Sequence, residues 1–157
     1  KLWLDASGIP TDQVHPVEGG MDAVDAAATY THEICKQSES VMVDSPEGLP
    51  AVDLLLLAMD ADGTVGRLTP NSPEMQASGA GQVILWVEEA GAEAVVASLD
   101  FMNAARRAVI VSTQQSAAAD TVALALKDGS PGCPGSCVRA ASTLWLLDAE
   151  SAASVAK

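Results

Sequence analysis

Aromatic side chains make up only 3% of this 157-residue chain: three Trp, one Tyr and one Phe. A core must therefore rest on Leu, Val, Ile and Ala, within an apolar fraction of 48%. That fraction argues against a disordered chain, which cannot bury enough apolar surface to offset the entropy of ordering. Basic residues are short too: 8 Lys and Arg stand against 21 Asp and Glu, a net charge of −13. Nucleic-acid binding needs a concentrated basic surface, and the sparse basic residues form no stripe. Nor are Trp3, Trp86 and Trp145 interleaved with them, as a base-stacking surface requires. The unbroken apolar runs fall well short of the roughly 20 residues of a membrane-crossing helix. No secretory signal pattern is visible, and the chain opens on Lys1 rather than Met. The expected compartment is the cytoplasm or an organellar interior, the sequence not choosing between them.

Cysteine is scarce as well: Cys35, Cys133 and Cys137. A zinc site would need further ligands near the last two, and His15 and His32 are far off in sequence. A local disulfide would leave Cys35 unpaired. The preferred reading is a reduced protein in which residues 130–137 form a Gly/Pro-rich surface loop, with no metal and no cofactor.

The chain is long enough for one domain with a sizeable core. Residues 21–36 are Ala-rich, with Val24, Ala27, Ala28 and Thr31 at helical spacing. Residues 52–58, 82–87, 94–99, 108–112 and 144–147 read as strands, and 12–17 as a short one. Ser72 before Pro73 is an N-cap signal, residues 100–105 and 116–126 read as helical, and Asp148 is placed to cap a closing helix over 149–156. Strand and helix signals alternate, and the apolar strands lack in/out alternation. The pattern predicts a layered α/β domain.

The richest segment is 52–70, VDLLLLAMDADGTVGRLTP. Its apolar run ends at once in Asp60-Ala61-Asp62-Gly63. Such a run fits a strand buried on both faces of a parallel sheet, and ligands bind beyond the carboxyl ends of such strands. On its own, Asp62-Gly63 is an ordinary turn. Thr64 has no visible base to make it a nucleophile. Arg67 suits an anion contact, or an ion pair with Asp60 or Asp62. Arg106-Arg107 suit a phosphate contact or a helix end.

This segment resembles the strand and loop of the 6-phosphogluconolactonases, FDLxLLGMGxDGHTASLFP, at Asp53, Leu56, Leu57, Met59, Asp62, Gly63, Leu68 and Pro70. Three further blocks follow the family's order: Ile9-Pro10 with Val14-His15-Pro16 (IPxxNVHP), residues 98–107 (TLPLINAARR), and residues 144–148 (LxWFLD). The resemblance implies a Rossmann-like domain over residues 1–157 with a mostly parallel central sheet, a fold shared with glucosamine-6-phosphate deaminases. It implies hydrolysis of 6-phosphogluconolactone, a step of the pentose phosphate pathway.

Two departures change that expectation. Thr64 stands where the family has the histidine expected to activate the attacking water. A general base needs a pKa near the working pH, which imidazole has and an alcohol lacks. The family's N-terminal part, with a glycine-rich phosphate-binding turn, has no counterpart in the chain. The expected function is therefore that of a degenerate lactonase-like domain serving as an accessory subunit, bound to other protein subunits. The alternatives are an active lactonase with Asp62 as base, and a sensor retaining sugar phosphate through Arg67 and Arg106.

Overall fold

The computed structural model describes residues 6–38, 43–46, 48–77, 80–89, 91–113, 119–127 and 132–155. Helix α1 spans Ala23–Ser38, and the short strands β1 (Val43–Asp44) and β2 (Pro50–Ala51) pair antiparallel. Strand β3 is Leu55–Ala58, followed by helix α2 at Pro73–Gln76. Strands β4 (Ile84–Glu89) and β5 (Ala92–Ala97) form an antiparallel hairpin. Helix α3 (Leu99–Ala104) leads to β6 (Ala108–Ser112), then α4 (Ala119–Ala125), α5 (Pro134–Cys137) and β7 (Thr143–Leu147).

Strands β3, β6 and β7 make a parallel sheet with β6 in the centre. It is the parallel sheet of an α/β fold. Register fixes which side chains share a face, because residues paired across parallel strands point the same way. Leu57, Ile110 and Trp145 lie in one row, and Leu55, Ala108 and Thr143 in the next. That face meets the core, where Met59, Val65, Leu68, Met102, Ile110 and Val122 are essentially inaccessible. Helix α1 packs on the β4–β5 hairpin, its buried Ala23, Ala26 and Ala27 allowing close approach.

The other face is different. It carries the row Leu56, Val109, Leu144 and the row Ala58, Val111, Leu146. Leu56 is 68% exposed, Leu144 51% and Leu146 48%. The apolar run of β3 is thus covered on one side, not on both as its composition predicts. Burial of both faces takes two layers, and here the described residues supply one.

Three other expectations are corrected. Residues 12–17 hold no strand: Pro10 starts a 3-10 turn at Thr11–Gln13, closed by Gln13 N–H to Pro10 O at 3.0 Å and Val14 N–H to Thr11 O at 3.2 Å. Residues 149–155 form turns in place of a helix. Asp148 does cap them, accepting from Ser151 N–H at 2.8 Å. After Ala152 the bonds tighten to i→i+3, from Ala153 to Glu150 and Val155 to Ala152, and one short turn cannot propagate a helix. The CPGSC segment is no surface loop, since Cys133, Pro134, Gly135 and Ser136 are buried. A Cβ on Gly135 would lie 3.0 Å from Trp145, 3.1 Å from Ala125 and 3.2 Å from Met59 Sδ. Glycine lets α5 press into the core there. No disulfide joins Cys35, Cys133 and Cys137.

Candidate functional site

The loop after β3 lies at the carboxyl end of the parallel sheet, where the fold places a ligand site. Met59 continues the strand by donating its N–H to Val111 O at 2.9 Å, and pairs back on Val65. Between them Asp60 N–H reaches Thr64 O at 2.9 Å and Gly63 N–H reaches Asp60 O at 3.0 Å. The turn needs φ +93° at Gly63, which side-chain-bearing residues rarely adopt. Its Cα also faces Thr121 of α4: a Cβ would sit 3.0 Å from Thr121 Cγ2. Thr121 in turn donates its hydroxyl to Ala61 O at 3.0 Å, fastening the loop to the helix.

Asp62 and Thr64 are joined directly. Thr64 N–H donates to Asp62 Oδ1 at 2.9 Å, and the Thr64 hydroxyl donates to Oδ2 at 3.1 Å. Sequence reading saw no base beside Thr64; the structure puts this carboxylate there. Carboxylates as a class are weak bases near neutrality, far from the basicity needed to deprotonate an alcohol. Thr64 itself is 7% exposed. The pair reads as a closed turn, with both carboxylate oxygens occupied.

Arg67 does not pair with Asp60 or Asp62; the ion pairs among the described residues are His15–Glu33 and Arg106–Asp53. Gly66 and Arg67 are the central residues of a tight turn. Val65 and Leu68 exchange both backbone hydrogen bonds across it, and φ is +54° and +69° at the two positions. Positive φ at both central residues is the type I′ geometry. The usual Asn-Gly signal is absent, so nothing in the sequence announced it.

The two arginines proposed for phosphate are far apart. Arg106 precedes β6 and binds Asp53 at 2.9 Å, at the amino ends of the strands. Arg67 follows β3 at the carboxyl ends. With about 3.3 Å of rise per residue, the two backbone positions are on the order of 20 Å apart. Nor does Arg106 sit in the last turn of α3, which holds no basic residue.

Around the loop, Asp62, Asn71, Thr121, Gly132 and Cys133 line a hollow of about 250 Å³. Ligand sites for small molecules usually measure about 300–1,000 Å³. A larger cleft of about 870 Å³ lies elsewhere, lined by His15, Tyr30 and Glu33 together with Val52, Leu54 and Leu55 at the amino end of β3. His15 Nδ1 meets Glu33 at 2.9 Å, and His32 is exposed on α1. Neither histidine lines the hollow at Asp62. Among the described residues no group of three His, Cys, Asp or Glu side chains is placed to hold a metal ion, and no helix is long and apolar enough to cross a membrane.

A parallel sheet with helices packed on one face and an Asp-Gly turn beyond its carboxyl end defines a Rossmann-like α/β protein. The family profile described as glucosamine-6-phosphate isomerases/6-phosphogluconolactonase matches residues 1–145, and the chain belongs to that family. No curated protein matches it in sequence. Among solved structures it is similar to the devB protein, with TM-score 0.78, 19% identity, and 94% of this chain covering 61% of that one. It is also similar to the 6-phosphogluconolactonase of Trypanosoma brucei, with TM-score 0.74, 20% identity, and 94% of this chain covering 63% of that one. A monomeric glucosamine-6-phosphate deaminase matches at TM-score 0.68 and 13% identity, over 92% of this chain and 61% of that one. At these identities the likeness is one of fold. The chain spans about three fifths of the length of these structures.

Proposed function

We propose that this chain is a lactonase-family domain without hydrolytic activity that serves as an accessory subunit of a larger assembly. The observation that carries the reading is Thr64, which resembles the family's histidine position, is buried, and spends its hydroxyl on Asp62. No imidazole lies in that loop to take a proton from water, and general-base catalysis contributes about 10²–10⁴-fold where a suitable base is present. The subunit role is supported by the uncovered apolar sheet face, since all-parallel sheets occur almost always with both faces covered.

The competing reading is an active lactonase. It draws on Asp62, which is exposed and lines the hollow beyond β3. The test is hydrolysis of 6-phosphogluconolactone by the purified chain, measured against the spontaneous rate. The expected outcome is no acceleration. Turnover that Asp62→Asn abolishes would falsify the inactive reading. The subunit role is tested separately by whether the native material holds other polypeptides in stable association with this chain, which is the expected outcome. A native monomer counts against it.

A further inference from the structure

Cys133 and Cys137 stand at the two ends of α5, a single helical turn over Pro134–Cys137. Positions four apart on a helix are separated by a rise of about 6 Å. A disulfide spans roughly 4.4–6.8 Å between Cα atoms, so the pair is within range. The Ser136 hydroxyl touches both residues: it donates to Cys133 O at 2.8 Å and lies 4.0 Å from Cys137 Sγ. Cys133 is buried and Cys137 partly exposed. Cys35 belongs to α1, which packs on the β4–β5 hairpin.

The same turn abuts the loop after β3. Cys133 Sγ lies 3.6 Å from the point a Cβ on Gly63 would occupy, and Cys133 and Asp62 line the same hollow of about 250 Å³. Side chains one helical turn apart have Cβ atoms about 5–6 Å apart, whereas a disulfide needs about 3.5–4.5 Å. The ends of α5 must therefore approach each other for the bond to close. The middle of the turn cannot give, because Gly135 is packed against Trp145, Ala125 and Met59 and Pro134 has a fixed φ. The movement falls on Cys133, whose backbone is extended, with φ −111° and ψ 114°. Turning its sulfur toward Cys137 withdraws it from Gly63.

We propose that Cys133 and Cys137 form a reversible disulfide whose closure loosens the loop from Asp60 to Thr64. The oxidant is a low-molecular-weight disulfide such as oxidised glutathione. The Cys137 thiolate attacks one of its sulfurs, giving a mixed disulfide and releasing one glutathione thiolate. The Cys133 thiolate then attacks the Cys137 sulfur and expels the second. Two protein thiols give up two electrons and two protons, and the oxidant takes them up to become two thiols. A disulfide that closes only by displacing its surroundings is strained, and strained disulfides are the labile, regulatory kind. The pairing is set within one turn, whatever the chain's activity or partners.

Equilibration of the 157-residue protein with oxidised glutathione, followed by alkylation in denaturant and trypsin, tests this. Cleavage after Lys127 and Arg139 leaves both cysteines in one peptide, residues 128–139. That peptide should be lighter by two hydrogens, take no alkyl group, and regain both thiols in dithiothreitol. The amides of Gly63 and Thr64 should exchange about tenfold faster in the oxidised protein, while that of Trp86 on the β4–β5 hairpin stays unchanged. Cys137→Ala should abolish both effects, and Cys35→Ala should leave them. If Cys137→Ala does not fold, the peptide mass and the exchange rates of the unsubstituted protein decide alone. The proposal is overturned by glutathione remaining on Cys137, by a link to Cys35, by no loss of hydrogen at saturating oxidant, or by a closed disulfide that leaves exchange at Gly63 and Thr64 unaltered.

Discussion

At the residue scale the Asp-Gly turn is decided by Gly63, and two separate forces hold it. One is backbone: φ +93° is strained for any residue with a Cβ. The other is space, since a Cβ would meet Thr121 Cγ2 at 3.0 Å. Gly63→Ala should therefore cost more than ~1 kcal/mol in urea denaturation. The two forces separate in the double variant with Thr121→Ser, which removes the methyl and keeps a hydroxyl for Ala61 O. Partial recovery is expected, because the backbone strain remains. If the double variant is no better than Gly63→Ala alone, the contact is relaxed by small shifts and the whole penalty is conformational. The neighbouring Asp62–Thr64 contact is a side-chain pair two residues apart, within reach of any turn of this kind. It ties the loop to itself.

At the element scale, the short helices depend on serine caps of unequal importance. Ser72 accepts from Met75 N–H at 3.4 Å and starts α2. Ser98 accepts from Phe101 N–H at 3.0 Å and also donates its hydroxyl to Gln82 O, joining α3 to the segment before β4. Ser72→Ala removes one cap, a loss of about 1 kcal/mol. Ser98→Ala removes a cap and strands a carbonyl partner, so about 2 kcal/mol is expected from the two terms together. Equal melting temperatures for the two variants would show that the Gln82 contact contributes nothing. The Ser72 cap was legible because Ser-Pro before a helix is a local signal. Strands β6 and β7 were legible because unbroken apolar runs flanked by polar residues leave little choice. What was not legible depends on partners distant in sequence. The pairing of β4 with β5 as a separate antiparallel hairpin is a tertiary choice. The burial of Pro134 and Gly135 arises from Trp145, Ala125 and Met59 closing on them. The site motif was readable as residues, but the separation of Arg67 from Arg106 appeared only once strand direction was fixed.

At the scale of the whole molecule, one face of the sheet decides how the protein behaves alone. Leu56, Leu144 and Leu146 form an apolar surface on a parallel sheet with no layer above it among the described residues. The matched structures are longer, with this chain covering 61% and 63% of two of them, so the fold elsewhere is built with more chain than is present here. Contiguous exposed apolar surface marks an interaction site or a source of aggregation, and a net charge of −13 opposes self-association without hiding the patch. The double variant Leu56→Lys with Leu146→Lys separates a bare face from a covered one by magnitude. On a bare face, two exposed substitutions should each change stability by less than about 0.5 kcal/mol, while solubility rises and binding of a hydrophobic dye falls. On a face buried in solution by a second copy, loss of the apolar side chains should cost about 2–5 kcal/mol each, as in a core, and the apparent melting temperature should depend on protein concentration. The first outcome is expected, because Leu56 and Leu146, 68% and 48% open to water, have little burial to lose.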